Sequence, residues 1–568
     1  MNRSTLMNFF VSDAEDRLSF LLSRQIIDEK SPFCGAVPEP GRLCPPFPRN
    51  LSVRMLEMTA LWLCPQSSYF ADPEIPQRMK KGLAYLKREQ RPSGNIDLWD
   101  CNFDSAPDSG FFLWDLIPLY RFLDDPKSFL PQGTGLPGLI SREAPLLRDE
   151  VKALILTVLE GLRTGGFHTA NHRWVMASAL TAGFNLTGNK AYMERAKQYL
   201  AEGIDCNEDG EYSERSTIYN AVNNQAMIML YEETGGGEYL AHVRRNLGML
   251  VYYFEADGSL FTGNSTRQDR GQKMYAAKYL FQYLYIAHHF KDEQAARIAE
   301  YIAGDLVKNG RSSSPDCLPF LMQRPELDFG RNPKPDSMRQ EGNAELPDYN
   351  RYFKSSGIVR YKKGVFSYSL IHDNPAFLCF NCGTLGGYLK ISMGYFSWGH
   401  IKIRELETLQ DGYRFVYHTD GYYFEPLENP SGDLLNFRQE DHSIRKIQHP
   451  NSCDLTVTVR NRDRGIGLIF SAAGIDGVHY GLDFMIPAGL PVSGDHFVLL
   501  PKPGDYVLLK DGGVTVLDGV NGLSIKGGFA DTDLFISSRQ AEPRSAEGFT
   551  VYMNGTSPFT REVLIESC

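Results

Sequence analysis

Residues that can carry out acid–base chemistry are concentrated between His168 and Asn220. Asn171 and His172 stand at the start of one apolar segment, and Tyr219 stands at the start of another. An asparagine amide donates hydrogen bonds to a carboxylate, a histidine gains or loses a proton near neutral pH, and a tyrosine phenol transfers a proton. This set suits one kind of reaction, the removal of the hydrogen atom next to the carboxylate of a sugar acid.

The C5 hydrogen of a uronic acid is very weakly acidic, because the carbanion that it leaves lies beside a negative charge. Its removal needs hydrogen bonds or positive charge at the carboxylate, a base at C5 and an acid at the leaving glycosidic oxygen. We expect Asn171 to bind the carboxylate, and His172 to neutralise its charge or to act as the base. Tyr219 is expected to be the acid, and also the base when both groups leave on one face. Arg215 is close enough in sequence to lower the pKa of the Tyr219 phenol.

The segments that carry these residues have a helical pattern. Up to residue 310, apolar residues recur three and four positions apart, as in 174–184 and 218–231. Breaks rich in Gly, Asn and Asp, such as LTGNK and NEDGE, separate these segments. Helix hairpins at this regular spacing, without a repeated consensus, predict a ring of paired helices, an α/α toroid. We expect residues 1–310 to form this catalytic domain.

The pattern changes beyond residue 310. Residues 311–350 are polar and rich in proline, which predicts a linker. Residues 351–568 form short alternating segments with frequent turns, which predicts an antiparallel β-sandwich. Hairpin turns are expected at 362–364 in GIVRYKKGVFSYSLI and at 420–421 in YRFVYHTDGYYFEP. The predicted fold class is therefore α+β and multidomain, with the toroid first and the sandwich second.

The bulk composition excludes several classes of partner. The net charge of -10 over 568 residues argues against nucleic acid. The sequence has no apolar stretch long enough to cross a membrane, and we expect no membrane partner. The N-terminus has no apolar signal core, which predicts a cytoplasmic protein as the sequence stands, and a periplasmic or secreted one if a signal was trimmed. No cofactor is required, a structural divalent cation in the sandwich is compatible with the sequence, and the oligomeric state is left open.

A longer motif surrounds the tyrosine. The Asn171-His172 pair is followed about fifty residues later by DGEYSERSTIY, which has the form DG-x-Y/F-x-E-x-S-x-x-Y. This combination resembles the heparinase II/III-like and alginate lyase group of polysaccharide lyases. The resemblance implies an α/α toroid joined to an antiparallel β-sandwich. It also implies that Asn171 and His172 neutralise the substrate carboxylate and that Tyr219 is the catalytic acid and often the base. The implied reaction is β-elimination in an acidic polysaccharide or oligosaccharide.

The resemblance also implies a second histidine, supplied by the sandwich. His400, His418 and His372 are the candidates. We favour His400 as the catalytic histidine, because the aromatic stretch at 395–398, which ends in Trp398, precedes it. The GHxHPD-type run that marks this histidine in the family is absent.

An acidic protein needs a local basic patch to bind a polyanion. Polar loops with aromatic residues can bind sugar hydroxyls and stack on sugar rings. Two such loops lie at 93–111 and 257–271. The residues that we expect to contact substrate are Trp99, Asn102, Arg173, Tyr212, Arg215, Arg267 and Arg270.

Two other functions are compatible with the same helical ring. A glycoside hydrolase would use two carboxylates, and a non-catalytic glycan-binding protein would use the aromatic and amide loops without turnover. A lyase makes an unsaturated sugar end that absorbs ultraviolet light, whereas a hydrolase makes reducing ends alone. The candidate carboxylates for a hydrolase are Asp97, Asp104, Asp108, Glu211 and Glu214.

Overall fold

The computed structural model describes residues 3–39, 41, 45–131, 133–327, 346–396, 399–430, 432 and 436–568. Its contacts divide the chain into two units. The first consists of Met1–Val251 and Ser265–Leu346, and the second of Tyr252–Asn264 and Pro347–Cys568. The helices lie in the first unit and the large sheets in the second, so the fold class is α+β.

Twelve α-helices are present among the described residues, and none of them is both long and apolar enough to cross a membrane. Short strands interrupt the helices of the first unit at β1 (Ile96–Leu98), β2 (Asn102–Ser105) and β4 (Met274–Tyr275). The helices are α1 (Arg3–Arg24), α2 (Pro48–Leu63), α3 (Glu74–Arg88), α4 (Ala106–Asp124), α5 (Gly138–Thr164), α6 (Ala170–Thr187), α7 (Lys190–Leu200), α8 (Thr217–Thr234), α9 (Gly237–Leu250), α10 (Leu280–Phe290), α11 (Glu293–Lys308) and α12 (Cys317–Gln323).

Local signals explain where the helices near the predicted site begin and end. The Ser216 hydroxyl accepts a hydrogen bond from the backbone N–H of Tyr219, which caps the start of α8. Gly188 and Gly235 follow α6 and α8 in the left-handed conformation, with φ of 72° and 75°. Helices α4, α6 and α8 are buried on almost every side, as expected for helices that have neighbours all around them.

Helices α2, α4, α6 and α8 pack against one another in chain order. Helix α2 contacts α4, α4 contacts α6, and α6 contacts α8. Helix α10 contacts α9 and α12, and α12 returns to α1 and α2. Successive helices also pair as hairpins, such as α6 with α7 and α8 with α9.

The second unit is built from two large sheets whose facing sides enclose one apolar core. The small strand β3 (Ser259–Leu260) precedes them. The first sheet has the order β18-β21-β15-β9-β8-β7-β6-β5, with β10 beside β9, where the bounds are β5 (Tyr349–Phe353), β6 (Ile358–Lys363), β7 (Phe366–Ile371), β8 (Leu378–Cys382), β9 (Leu385–Met393), β10 (Gly399–His400), β15 (His479–Pro487), β18 (Tyr506–Leu508) and β21 (Gly548–Thr556). The second sheet has the order β11-β12-β13-β14-β22-β20-β19-β16-β17, where the bounds are β11 (Glu407–Leu409), β12 (Gly412–Phe424), β13 (Ile447–Arg462), β14 (Gly465–Gly474), β16 (Val492–Gly494), β17 (Val498–Leu499), β19 (Gly513–Leu517), β20 (Gly522–Lys526) and β22 (Phe559–Ser567).

One of the two predicted hairpins forms and the other does not. Strands β6 and β7 pair up to Lys363 and Phe366, so the predicted turn at 362–364 is confirmed. The predicted turn at 420–421 is wrong, because β12 continues through it and pairs with β13 along its length. Gly421 is needed for close packing there, since a Cβ atom on it would lie 2.3 Å from the Phe396 ring. The register also shifts between Gly421 and Tyr423, as at a β-bulge.

Two segments of the structure do not follow the predicted domain boundaries at residues 310 and 350. Helix α12 lies inside the stretch predicted as a linker, 311–350, of which residues 328–345 are outside the described part of the chain. The segment Tyr252–Asn264 belongs to the second unit, although it lies within residues 1–310.

A buried ion pair holds the segment Tyr252–Asn264 on the first sheet. Arg360 on β6 places its Nη2 atom 2.7 Å from Glu255 Oε1, and its Nε–H donates to the backbone oxygen of Tyr252 at 2.9 Å. The Ser367 hydroxyl donates to the other oxygen of the Glu255 carboxylate. The Tyr349 hydroxyl donates to the backbone oxygen of Phe254 at 2.9 Å. The Arg360 side chain has no exposed surface. This segment is therefore part of the strand-rich unit.

Candidate active site

Four helices of the first unit begin beside one another, and each contributes a polar residue in its first turn. These residues are Arg49 on α2, Asp108 on α4, Asn171 on α6 and Tyr219 on α8. The N-terminus of a helix carries a partial positive charge and unpaired N–H groups. Four such ends at one place favour an anionic group there.

Asn171 is fully buried and is held by Glu214. Its Nδ2 atom donates to Glu214 Oε2 at 2.8 Å, and its Oδ1 atom accepts from the Thr169 hydroxyl at 3.4 Å. Thr169 is the N-cap residue of α6, so the Asn171 side chain is not the cap. Burial raises the pKa of Glu214, while the hydrogen bond from Asn171 and the charge of Arg267 oppose this effect. The amide keeps a second N–H for a carboxylate.

Tyr219 is engaged by donors from the loop that follows residue 264. Its phenol oxygen accepts from Arg267 Nη2 at 3.1 Å and from Gln268 Nε2 at 3.2 Å. The Arg267 guanidinium carbon lies 4.5 Å from the centre of the Tyr219 ring. Arg215, which the sequence placed near this phenol, has its Nε atom 3.4 Å from Glu211 Oε2, and its influence on Tyr219 stays a prediction. Two side chains of this loop thus hold the phenol oxygen in place.

A buried carboxylate fixes this loop to the start of α8. Asp269 accepts from the Ser216 hydroxyl at 2.9 Å, from the Thr217 backbone N–H at 3.0 Å and from the Thr217 hydroxyl at 2.9 Å. It also accepts from the Ser265 hydroxyl at 2.5 Å. A carboxylate at a helix N-terminus is stabilised by the helix dipole. Asp269 therefore positions the Arg267 guanidinium at Tyr219.

His172 lies next to Asn171, and its buried ring packs against two other rings. Its ring contacts His168 and Phe111 edge-on, at centroid distances of 4.8 and 6.3 Å. Within the described residues its buried Nδ1 atom has no hydrogen-bond partner. Burial, and then the charge of His168, lower the pKa of His172 to about 4. The imidazole is therefore neutral near pH 7, where it can act as a base or as a hydrogen-bond donor but not as the neutralising cation.

The pKa of His172 predicts a pH dependence of stability. The unfolded chain binds a proton at this side chain below about pH 6.5, whereas the folded chain binds it only below about pH 4. The contribution is therefore complete above pH 6.5 and is lost as the pH falls towards 4, by about 3 kcal/mol at most. We expect His172→Gln to flatten the free energy of unfolding between these pH values, measured by urea denaturation. An NMR titration that placed the His172 midpoint near the ordinary value would contradict this.

Comparison with known proteins adds evidence on the fold. No protein-family model and no curated protein matches the chain. A chondroitin AC lyase of Streptomyces coelicolor A3, solved in complex with chondroitin sulphate, aligns with 99% of this chain and 79% of its own, at 11% identity and a TM-score of 0.52. The chain has a polysaccharide-lyase-like fold.

Two further solved structures are similar to this chain. A heparan sulfate lyase from Pedobacter heparinus has 11% identity over 91% of this chain and 76% of its own, with a TM-score of 0.46. A Paenibacillus xanthan lyase has 8% identity over 100% of this chain and 55% of its own, with a TM-score of 0.49. At such identities the likeness concerns the fold alone.

Two of the predicted substrate contacts are engaged by other side chains of the helical unit. Tyr212 is buried and its hydroxyl donates to Asn224 Oδ1 at 3.2 Å, so the prediction that it contacts substrate is corrected. Burial raises the pKa of Tyr212 far above its ordinary value. Arg173 Nη1 pairs with Glu202 Oε2 at 3.0 Å, which ties the start of α6 to the residues after α7.

Of the other predicted contacts, Asn102 and Arg270 are bonded to residues of the cluster or of its loop. Asn102 Nδ2 donates to Asp108 Oδ2 at 3.0 Å, and this bond connects the 93–111 loop to α4. Trp99 meets Phe103 edge-on at a centroid distance of 5.8 Å, and Phe103 is exposed. Arg270 is exposed, and its backbone N–H donates to the oxygen of Arg267.

His400 belongs to the second unit, which is described here by itself. The His400 ring is buried, and its Nε2 atom accepts from the backbone N–H of Glu542 at 3.0 Å. Burial, and then the charge of Lys390, lower the pKa of His400. Trp398, on which the choice of His400 partly depended, lies outside the described residues. The catalytic role of His400 stays a prediction.

The two alternative histidines have partners within the same unit. His418 is exposed, with Nδ1 at 2.7 Å from Asp454 Oδ1 and Nε2 at 3.1 Å from Asp420 Oδ1. The hydrogen bond with Asp454 raises the pKa of His418. His372 Nε2 lies 3.1 Å from the hydroxyl of Tyr352. Across the described ranges, no group of three or more His, Cys, Asp or Glu side chains is arranged to hold a metal ion.

Sequence reasoning did not single out Arg49. Its guanidinium carbon lies 3.7 Å from the centre of the Phe111 ring, and its Nη1 atom lies 3.6 Å from Asp108 Oδ1. The one signal was Pro48, which favours the first helical position and so places Arg49 in the first turn of α2. Its proximity to the other residues depends on how the helices pack.

Proposed function

We propose that the protein is a polysaccharide lyase that cleaves a uronic-acid-containing glycan by β-elimination, with its catalytic helices arranged as an α/α toroid. The observation that carries the proposal is the link between two helix starts. Asn171 on α6 bonds to Glu214 just before α8, and Tyr219 on α8 bonds to Arg267. Amide, phenol and guanidinium groups are thus assembled at four helix N-termini.

The first task of this site is to offset the substrate carboxylate. The free N–H of the Asn171 amide donates to it, and the Arg267 guanidinium supplies positive charge. The helix N-termini add their dipoles without any change of structure during the reaction. His172, which is neutral, contributes a ring N–H as a donor instead of a charge. These contacts stabilise the enolate-like state after C5 loses its proton.

The second task is the transfer of two protons. The base takes the proton from C5, the C5 electron pair forms a double bond to C4, and the bond from C4 to the glycosidic oxygen breaks. Tyr219 gives its proton to that oxygen, and the hydrogen bonds from Arg267 and Gln268 stabilise the phenolate that remains. When both groups leave on one face, Tyr219 in its phenolate form also takes the C5 proton. When they leave on opposite faces, His172 or His400 is the base.

The proposal is tested by an ultraviolet absorbance screen over uronate-containing polysaccharides and their oligosaccharides. A lyase produces an unsaturated sugar end that absorbs, and the Tyr219→Phe variant is expected to produce it at least about a hundredfold more slowly. Reducing ends without this absorbance would indicate the hydrolase alternative, with Asp108 and Glu214 as the carboxylates to replace. Binding without any product would indicate a glycan-binding protein.

A further inference from the structure

Arg49 is held beside the proposed active site with little engagement by acceptors. The Phe111 ring covers one face of its guanidinium at 3.7 Å, and Asp108 Oδ1 lies 3.6 Å from Nη1, beyond hydrogen-bonding distance. In the part of the chain that the structure describes, no hydrogen bond engages this guanidinium. A guanidinium carries five N–H donors, and stacking on an aromatic ring leaves its N–H edge for an acceptor.

Asp108 is committed elsewhere and does not saturate Arg49. Its Oδ2 atom accepts from Asn102 Nδ2 at 3.0 Å and from the Ser105 hydroxyl at 2.6 Å. Ser105 is also the N-cap of α4, so this carboxylate is tied to the helix start. Asp108, and then Asp115, therefore offset part of the Arg49 charge, and within the described residues neither accepts a hydrogen bond from it.

The charge of Arg49 acts on the same residues as that of Arg267. Both guanidinium groups lower the pKa of His172, and a phenolate at Tyr219 would raise the pKa of Arg49. Arg267 contacts Tyr219 from the loop after residue 264, whereas Arg49 comes from α2, which α4 separates from α6. Two cations from different elements thus flank His172 and Tyr219.

Resting on the proposed function, we infer that Arg49 binds a second acidic group of the glycan, separate from the carboxylate that Asn171 takes. The fitting substrate class is a glycan with acidic groups on neighbouring sugar units, as in contiguous uronates or a uronate beside a sulfated sugar. Arg49 is then a specificity-determining residue. The oxygen pairs of a carboxylate or of a sulfate group can accept two parallel hydrogen bonds from its N–H edge.

The test measures binding by calorimetry in the Tyr219→Phe background, which does not consume the probe. The probes are tetragalacturonate, its carboxyl-reduced form, and sulfated and desulfated chondroitin tetrasaccharides. A charge-assisted hydrogen bond contributes enough that we expect Arg49→Gln to weaken binding of tetragalacturonate or the sulfated tetrasaccharide about tenfold to a hundredfold. The effect on the reduced and desulfated forms is expected to be much smaller.

Arg54→Gln is the matched control. Arg54 lies on the same helix, its side chain is 37% exposed against 36% for Arg49, and its Nη1 atom is 3.5 Å from Glu57 Oε2. We expect it to leave the affinity unchanged. Equal losses in both variants, equal losses for acidic and reduced probes, or no binding of any acidic probe would overturn the inference.

The outcomes separate this inference from the proposed function. In one outcome, the protein binds acidic probes, Arg49 is required for this binding, and no glycan gives unsaturated product. This outcome would support the anion-binding site and contradict the lyase function. Unsaturated product whose KM is the same in the wild type and in Arg49→Gln would retain the lyase and reject the role of Arg49.

Discussion

Replacing Tyr219 by phenylalanine is expected to lower kcat for elimination by a factor of about 10² to 10⁴, the range for the loss of a general acid or base. The change removes one oxygen atom, to which Arg267 and Gln268 donate at 3.1 and 3.2 Å. Both donors lie at least partly in solvent, so water can replace the phenol as their partner. We therefore expect the melting temperature of the Tyr219→Phe variant to differ from that of the wild type by no more than a typical surface substitution causes. KM is expected to change little, because proton transfer contributes to the transition state and not to ground-state binding.

The matched control is Tyr192→Phe. Tyr192 also lies in the helical unit, on α7, and its hydroxyl donates to Glu160 Oε1 at 2.8 Å. This variant removes the same atom outside the cluster, and we expect kcat to be unchanged. The role of Tyr219 would be rejected if its variant kept more than about a tenth of the wild-type kcat, or if the Tyr192 variant lost as much.

The sequence pattern predicted part of this site because it is local. Asn171 and His172 are adjacent, and Tyr219 occupies the first turn of a helix that Ser216 caps, so spacing alone places them at helix starts. The sequence pointed to Arg215 as the arginine near Tyr219 because it is the closest in sequence, and that influence stays a prediction. The fold brings Arg267 to the phenol, by means of the contacts that Asp269 makes with α8.

The prediction of helices and strands succeeded where the apolar periodicity is strong. It failed at Gly421, because a glycine can either form a turn or make room for a neighbouring side chain. The 3.6-residue pattern located the helices, and the turn at 362–364 joins β6 to β7. Asp420-Gly421 has the composition of a hairpin turn, yet it lies within β12, because Gly421 makes room for the Phe396 ring. Composition cannot distinguish a glycine that turns the chain from one that lets a side chain approach.

The local sequence pattern of Tyr252–Asn264 also could not predict that this segment belongs to the strand-rich unit. An ion pair between residues far apart in the sequence holds it there. Glu255 is separated from Arg360 by more than a hundred residues, and both are buried. Removing one member of such a pair leaves the other charge buried without its counterion. We expect Arg360→Met to lower the free energy of unfolding of the strand-rich unit by about 3–5 kcal/mol. Urea denaturation measures this change, and hydrogen exchange should show lost protection in 252–264.

Two further variants distinguish the ion pair from its surroundings. Lys363→Met is the control on the same strand, because Lys363 Nζ pairs with Asp463 Oδ1 at 2.9 Å on the surface, and we expect a change within about 0.5 kcal/mol. The double variant Arg360→Met with Glu255→Leu is expected to recover much of the loss, since it leaves no uncompensated charge. If Arg360→Met were no more destabilising than Lys363→Met, the ion pair would not be what holds this segment in the sandwich. If the double variant were the sum of its parts, the cost would come from packing and not from the stranded carboxylate.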